Sequence, residues 1–187
     1  MKQFYLNTKR LNTYVKYNDT YVQTVKFKEY SEIITKDFDE PQLNINLIKK
    51  IKTIGDTQNR QTNLQGDMTD WKMQHEEEFS IIGNFALTTI NKVFNKNNLI
   101  LQECWGGVYR KGDICHPHNH IPHAWSFVYY ADANTDDSPL LFPTADLAIY
   151  PYTGLLVAFP SWVTHSVPPQ ENDKERIIVA GNLKQLL

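Results

Sequence analysis

The chain has too few cysteines for disulfides to hold it together: Cys104 and Cys115 are the only two in 187 residues. A core must therefore come from packing, and a reducing, intracellular setting fits better than an oxidising one. Long apolar runs are also missing. The longest, from Gly154 to Pro160, falls far short of the roughly 20 residues that span a bilayer, so no membrane partner is expected. The first residues, Met1-Lys2-Gln3-Phe4-Tyr5, include no apolar segment leading to a small-residue cleavage site, so no signal peptide is expected and the expected location is the cytoplasm. There is no internal repeat and no glycine-rich phosphate loop, which sets nucleotide-driven chemistry aside. An excess of one charge is lacking too. A net charge of −2 argues against a surface made wholly for phosphate, and a nucleic acid is not the expected partner. One local exception keeps that option open: within residues 1–30, Lys2, Lys9, Arg10, Lys16, Lys26 and Lys28 outnumber Asp19 and Glu29 and alternate with Tyr5, Tyr14, Tyr17 and Tyr21. A solvated, partly β-structured face accounts for the same pattern.

The length suits one domain able to bury a core. The expected layout is a single domain over residues 1–187, with strands and supporting helices in 1–98 and a β core in 99–187. Tyr14, Val15, Tyr21, Val22, Val25 and Phe27 predict one or two strands within 1–36. Pro41 in a first helical turn, followed by Leu43, Ile45, Leu47, Ile48 and Ile51, predicts a helix ending at Gly55. Residues 56–74 are polar and read as an exposed loop, a candidate lid together with 132–138. From Glu76 to Phe94, Phe79, Ile82, Phe85, Ala86, Ile90 and Val93 recur at helical spacing, with acidic residues in the first turn. Short β segments follow at 99–110, 124–131, 139–142, 146–149, 155–160 and 175–183. Their spacing predicts a sandwich or barrel rather than alternating strands and helices.

Histidine is where the sequence is rich. His116, His118, His120 and His123 fall within eight residues, His165 lies downstream, and His75 precedes the second helix. Imidazole suits iron, zinc and copper. If residues 116–120 are extended, a side-chain period of two puts His116, His118 and His120 on one face. Two of them could then meet one ion, with the distant His165, which follows an apolar strand and precedes a proline-stiffened turn, as the natural third ligand. His116 and His123 read as surface or supporting histidines, and Cys115 as a neighbour of the site rather than a ligand. On 175–183, alternation places Arg176, Ile178, Ala180 and Asn182 on one face, so a guanidinium would stand in a β-lined cavity as a carboxylate anchor. The competing reading of Arg176 is an edge salt bridge to Glu171, Asp173 or Glu175. Tyr109 and Asn182 are candidate partners of the same carboxylate, and Trp105, Trp125 and Trp162 are expected in the core or the pocket wall.

These blocks occur in a recognisable order: Asp67-Met68-Thr69-Asp70-Trp71, Trp105 to Asp113, Pro117-His118-Asn119-His120, Ser126 to Tyr130, Phe159 to Pro168, and Arg176 to Asn182. Over residues 60–183 the set resembles the 2-oxoglutarate/Fe(II) oxygenases of marine phages and bacteria. The resemblance implies a mainly β protein with flanking helices around a double-stranded β-helix (a jelly-roll, cupin-like core). It implies Fe(II) on His118 and His165, with 2-oxoglutarate as cosubstrate anchored by Arg176. Dioxygen and a prime substrate would complete the partners, and the host cytoplasm would be the setting if the chain is viral. His120 stands where the wider family carries a carboxylate; as the third ligand it makes a three-histidine set, with His116, Asp113 or solvent as the fallback. Two rival readings remain. One is a three-histidine, cupin-like metal enzyme that uses no oxoacid, favoured by His120 and disfavoured by Arg176. The other is a jelly-roll binding or structural protein without catalysis.

Overall fold

A computed structural model describes residues 11–17, 20–26, 32–38, 40–55, 62–94 and 98–186; for 11–26 the description is of the backbone. Lys2, Lys9, Arg10, Asp19, Phe27, Lys28 and Glu29 lie outside the described residues, so the basic N-terminal stretch stays a sequence observation. Residues 56–61 of the candidate lid also lie outside them.

Strands β1 (Leu11–Tyr17) and β2 (Thr20–Lys26) pair antiparallel as a separate two-stranded sheet. After β3 (Ile34–Asp37) comes α1 (Pro41–Gly55), and then two very short strands, β4 (Leu64–Gln65) and β5 (Asp67–Met68). A 3-10 turn at Met73–His75 leads into α2 (Glu77–Phe94). The remaining strands are β6 (Leu99–Tyr109), β7 (Ile114–His118), β8 (Trp125–Asp132), β9 (Leu140–Phe142), β10 (Leu147–Ile149), β11 (Leu155–Pro160), β12 (His165–Val167) and β13 (Arg176–Gln185). They form a six-stranded sheet, β3-β11-β8-β13-β6-β5, and a five-stranded sheet, β10-β9-β12-β7-β4. All the pairings within strands are antiparallel. This is the expected jelly-roll with flanking helices.

The six-stranded sheet is buried on both faces. On one face, Leu47 and Ile51 of α1 and Phe79, Ile82, Ala86 and Ile90 of α2 pack against Val108, Tyr129, Leu156, Ile177 and Val179. Each large side chain removed from water there contributes about 1.5–3 kcal/mol. On the other face, Tyr109, Val128, Tyr130, Phe159, Ile178 and Ala180 meet Leu64, Cys115, Leu140, Phe142 and Val167 of the second sheet. Alternation along β13 thus sends Ile177 and Val179 to the helices and Ile178 and Ala180 into the space between the sheets. Gly106 lets α1 come close, because a Cβ there would lie 2.5 Å from Ile51 Cγ1.

The N-terminal half contributes more to the β core than its sequence suggests. β3 and β5 form the two edges of the six-stranded sheet, and β4 is an edge of the other. The segment expected as an exposed loop therefore carries two strands and buries Leu64 and Met68. Two-residue strands leave no alternation to read, and single apolar residues among Asn, Gln and Thr give no periodic signal. Among the described residues, no helix is long and apolar enough to cross a membrane.

Candidate metal centre and its cavity

Two of the four clustered histidines and their distant partner are brought together by the backbone. His118 ends β7 and pairs directly with His165, the first residue of β12. Pro168 and Pro169 follow β12 and stop it, since neither has an N–H to donate. His120 lies two residues beyond β7, where its backbone N–H donates to Ser161 O (2.7 Å), just past the end of β11. The ligand nitrogens of His118, His120 and His165 all lie within 4.8 Å of one another, and this is the one group of such residues found among those described. Their ring centroids are 4.8 Å (118–120), 4.3 Å (118–165) and 5.0 Å (120–165) apart.

The expected common face of His116, His118 and His120 is not what forms. Val167 pairs with Cys115 while His165 pairs with His118, so Cys115 to His118 oppose just Ser166 and its two neighbours, and the ladder bulges. The bulge turns Cys115 and His118 into the cavity and leaves His116 exposed, with its Nε2 2.9 Å from Gln65 Nε2. Strict alternation fails wherever a residue is inserted, and Pro117, which cannot donate to the ladder, sits within this insertion.

The imidazoles are held in their neutral form. His118 Nδ1 lies 2.7 Å from His116 O and His165 Nδ1 3.1 Å from Val163 O. A carbonyl accepts only from N–H, so both rings carry their proton on Nδ1 and present Nε2 as a lone pair. Burial lowers the His118 pKa. Burial, then the neighbouring His165 and His118, pushes His120 down to about 3. Burial and His118 push His165 down to about 4.

The cavity between the sheets has a volume of about 130 Å³, room for on the order of ten waters at roughly one probe volume each. That is the scale of a small organic acid. Its walls include Trp71, Trp105, Leu140, Phe159 and Ile178, and it contains both the three histidines and Arg176. Arg176 opens β13 and is 1% exposed. One donor, Nη1, bonds Ser138 O at 2.6 Å, and the guanidinium carbon lies 4.0 Å above the centre of the Tyr109 ring. Its Nε and Nη2 are buried and donate to no group among the described residues. The alternative reading of Arg176 as an edge salt bridge is overturned: Glu175 pairs with Lys52 and Arg110, and Asp173 with Lys111. Arg176 has no carboxylate partner among the described residues. A buried guanidinium with two idle donors is expensive unless an anion meets it.

Around these groups, burial pushes the Tyr109 hydroxyl well above its usual range and Tyr130 up to about 12. Cys115, raised to about 11 by burial, has its Sγ 3.8 Å from His118 Nδ1. Tyr130 lines the cavity and was not singled out in the sequence, where it is one more aromatic in a continuous β run. Asn182 is on the expected face of β13 but does not line the cavity. It accepts from Ser126 Oγ (2.8 Å) and donates to Glu103 Oε2 (3.0 Å), while Ser126 also bonds Ser161 Oγ (2.8 Å). Asn182 thus supports Ser161, the residue whose carbonyl holds the His120 backbone. His123 joins the same network, with Nδ1 2.9 Å from His120 O and Nε2 3.6 Å from Glu103. Asp113 accepts from Arg110 N at 2.7 Å in the β6–β7 turn. Neither it nor any other Asp or Glu among the described residues lines the cavity. Trp105 does line it; Trp125 packs on Phe94 instead, and Trp162 is 39% exposed.

No protein-family model matches the sequence, and no curated protein matches it. Solved structures do share its architecture. The viral collagen prolyl hydroxylase vCPH of Paramecium Bursaria Chlorella virus-1, solved with 2OG, superposes with a TM-score of 0.68 at 16% identity, covering 83% of this chain and 96% of that one. A prolyl-4-hydroxylase of Pseudomonas putida gives 0.62 at 19% identity over 83% and 93%. HygX of Streptomyces hygroscopicus, solved with nickel, 2-oxoglutarate and hygromycin B, gives 0.63 at 12% identity over 84% and 83%. At these identities the likeness is one of architecture, and the chain has the jelly-roll fold of the 2-oxoglutarate/Fe(II) oxygenases.

Proposed function

We propose that this protein is an Fe(II)- and 2-oxoglutarate-dependent oxygenase, with His118, His120 and His165 as metal ligands and Arg176 as the anchor of the oxoacid. The observation that carries the reading is the buried Arg176, with two idle donors, in the same small cavity as three convergent neutral imidazoles. The donor set fits the ion, since three nitrogens on one side leave room for other ligands opposite. The guanidinium fits a carboxylate, which it grips bidentately. Bound iron would supply the redox chemistry that couples decarboxylation of 2-oxoglutarate, to succinate and carbon dioxide, with oxygenation of a C–H bond by dioxygen.

The chain's own part is binding and exclusion. Nε and Nη2 of Arg176 meet the distal carboxylate, and Tyr109, stacked on the guanidinium, keeps that fork in one plane. The Nδ1–H groups of His118 and His165, tied to backbone carbonyls, fix each ring and its tautomer. Apolar walls from Leu140, Phe159, Val167 and Ile178 keep water from the reacting centre. Because no carboxylate among the described residues lines the cavity, the cosubstrate is the anion that offsets the charge of both metal and guanidinium.

The HygX structure shows that a protein of this fold holds nickel and 2-oxoglutarate together, which supports the proposal. A second reading, a three-histidine enzyme without an oxoacid, is favoured by His120. Anaerobic calorimetry separates them. Fe(II) followed by 2-oxoglutarate should each bind at one equivalent per chain. Iron binding with no saturable 2-oxoglutarate binding identifies the second reading, and binding of neither leaves a non-catalytic jelly-roll.

A further inference from the structure

Arg176 does not stand alone. Its one hydrogen bond among the described residues goes to the carbonyl of Ser138, so the direction of its two idle donors depends on what fixes Ser138. Gln170 does this. Its side-chain Oε1 accepts from Ser138 N (3.1 Å), and its Nε2 donates to Asp137 Oδ1 (2.6 Å) and Asn172 Oδ1 (3.2 Å). Its backbone N–H donates to Asp113 O (2.9 Å) and its carbonyl accepts from Gly112 N (2.8 Å). Ser138 Oγ adds a bond to Pro169 O at 2.7 Å. Asp137 also accepts from Asn134 N (2.8 Å) and from Asn172 Nδ2. Asp137 and Gln170 are each 1% exposed.

Stapling one surface loop does not require a carboxylate and a carboxamide buried this deeply, because burying a charge is costly. Asp137 forms no ion pair among the described residues, and neither does Arg176, yet the carbonyl that receives the Arg176 hydrogen bond belongs to Ser138, the residue next to Asp137. Cation and anion are thus held near each other without direct contact. Arg176 keeps Nε and Nη2 free, whereas a direct Asp137–Arg176 pair would consume them.

We propose that Asp137 and Gln170 are positioning residues for the oxoacid: through Ser138 they fix the guanidinium of Arg176 so that its fork selects a second, distal carboxylate. This rests on the proposed function, and it adds a determinant of selectivity for 2-oxo diacids over 2-oxo monoacids.

The test compares two probes on the full-length chain loaded anaerobically with Fe(II), read by calorimetry: 2-oxoglutarate and 2-oxobutanoate, which lacks the distal carboxylate. The wild-type protein should prefer the diacid strongly; if it has no preference, the Arg176 anchor itself is wrong and the proposed function falls with it. In Gln170→Met and Asp137→Asn the preference should shrink by about tenfold to a hundredfold, the scale of a misplaced binding group. 2-Oxobutanoate should still bind as before. That pattern in either variant supports the positioning role, because a merely structural defect weakens both acids together. If neither variant shows it, whether because the preference is kept or because both acids are lost alike, the role is overturned while the anchor stands.

Discussion

Replacing Arg176 separates ligand binding from folding. Each charge-assisted hydrogen bond contributes about 1.5–3 kcal/mol net. Arg176→Met removes the two idle donors, so 2-oxoglutarate should lose roughly 3–6 kcal/mol of binding, or about two to four orders of magnitude in affinity. Arg176→Lys keeps the charge and loses the fork, for which about tenfold, or about 1.4 kcal/mol, is expected. Folding responds differently. The Met variant removes a buried guanidinium with two unsatisfied donors, which offsets the loss of the Ser138 bond and the contact with Tyr109. Thermal unfolding with Mn(II) present reads both effects. At 2-oxoglutarate about 100 times the wild-type dissociation constant, linkage stabilises the wild type by about 2.7 kcal/mol, a rise of roughly 5–11 °C for a chain of this size. At the same concentration the Lys variant should gain about 1.4 kcal/mol and the Met variant about 0.4 kcal/mol or less. A Met variant that keeps the full ligand-induced shift would refute the assignment of Arg176.

Further outcomes follow from the same geometry. His165→Ala should abolish stoichiometric Fe(II) binding, while His120→Asp, which creates a two-histidine, one-carboxylate set, should still bind iron by calorimetry; normal affinity in His120→Ala would remove His120 from the ligands. Asn182→Ala takes one partner each from Glu103 and Ser126, so it should cost about 1–3 kcal/mol in urea unfolding and leave the preference for a diacid intact; a lost preference would return Asn182 to the cosubstrate. The metal-free protein should weaken on acidification. His120 and His165 have folded-state pKa values below the unfolded one, near 6.5, so below that pH the unfolded chain takes protons the folded chain refuses. Two such groups give a slope approaching about 2.7 kcal/mol per pH unit toward pH 5, and the loss saturates once pH falls through the folded values. A flat urea midpoint between pH 6.5 and 5 would contradict the burial of these rings.

The helices and the β13 face were legible because their periods are undisturbed. Phe79, Ile82, Ala86 and Ile90 announce α2, and Ile178 and Ala180 follow Arg176 into the cavity as alternation requires. His118, His120 and His165 could be picked out because imidazoles at that density have little structural use. What escaped was local. The bulge that turns His116 out of the site changes one pairing and leaves no mark on the residue pattern. β4 and β5 are too short to show a period. Asp137 sits in Asp136-Asp137-Ser138-Pro139, which reads as a solvated turn; its burial depends on Gln170, 33 residues away. Alternation puts Asn182 on the correct face, but a bulge after it and its bonds to Ser126 and Glu103 take it out of the cavity.

One cavity is proposed to hold a divalent iron on three histidines and a 2-oxo diacid on Arg176. Anomalous scattering at the iron edge, from a crystal grown anaerobically with Fe(II) and 2-oxoglutarate, tests it most directly. One peak is expected about 2.1 Å from Nε2 of His118, His120 and His165, typical of a metal–imidazole bond. Density for the distal carboxylate should lie against Nε and Nη2 of Arg176. A peak away from these nitrogens, or an oxoacid bound without touching Arg176, would contradict it.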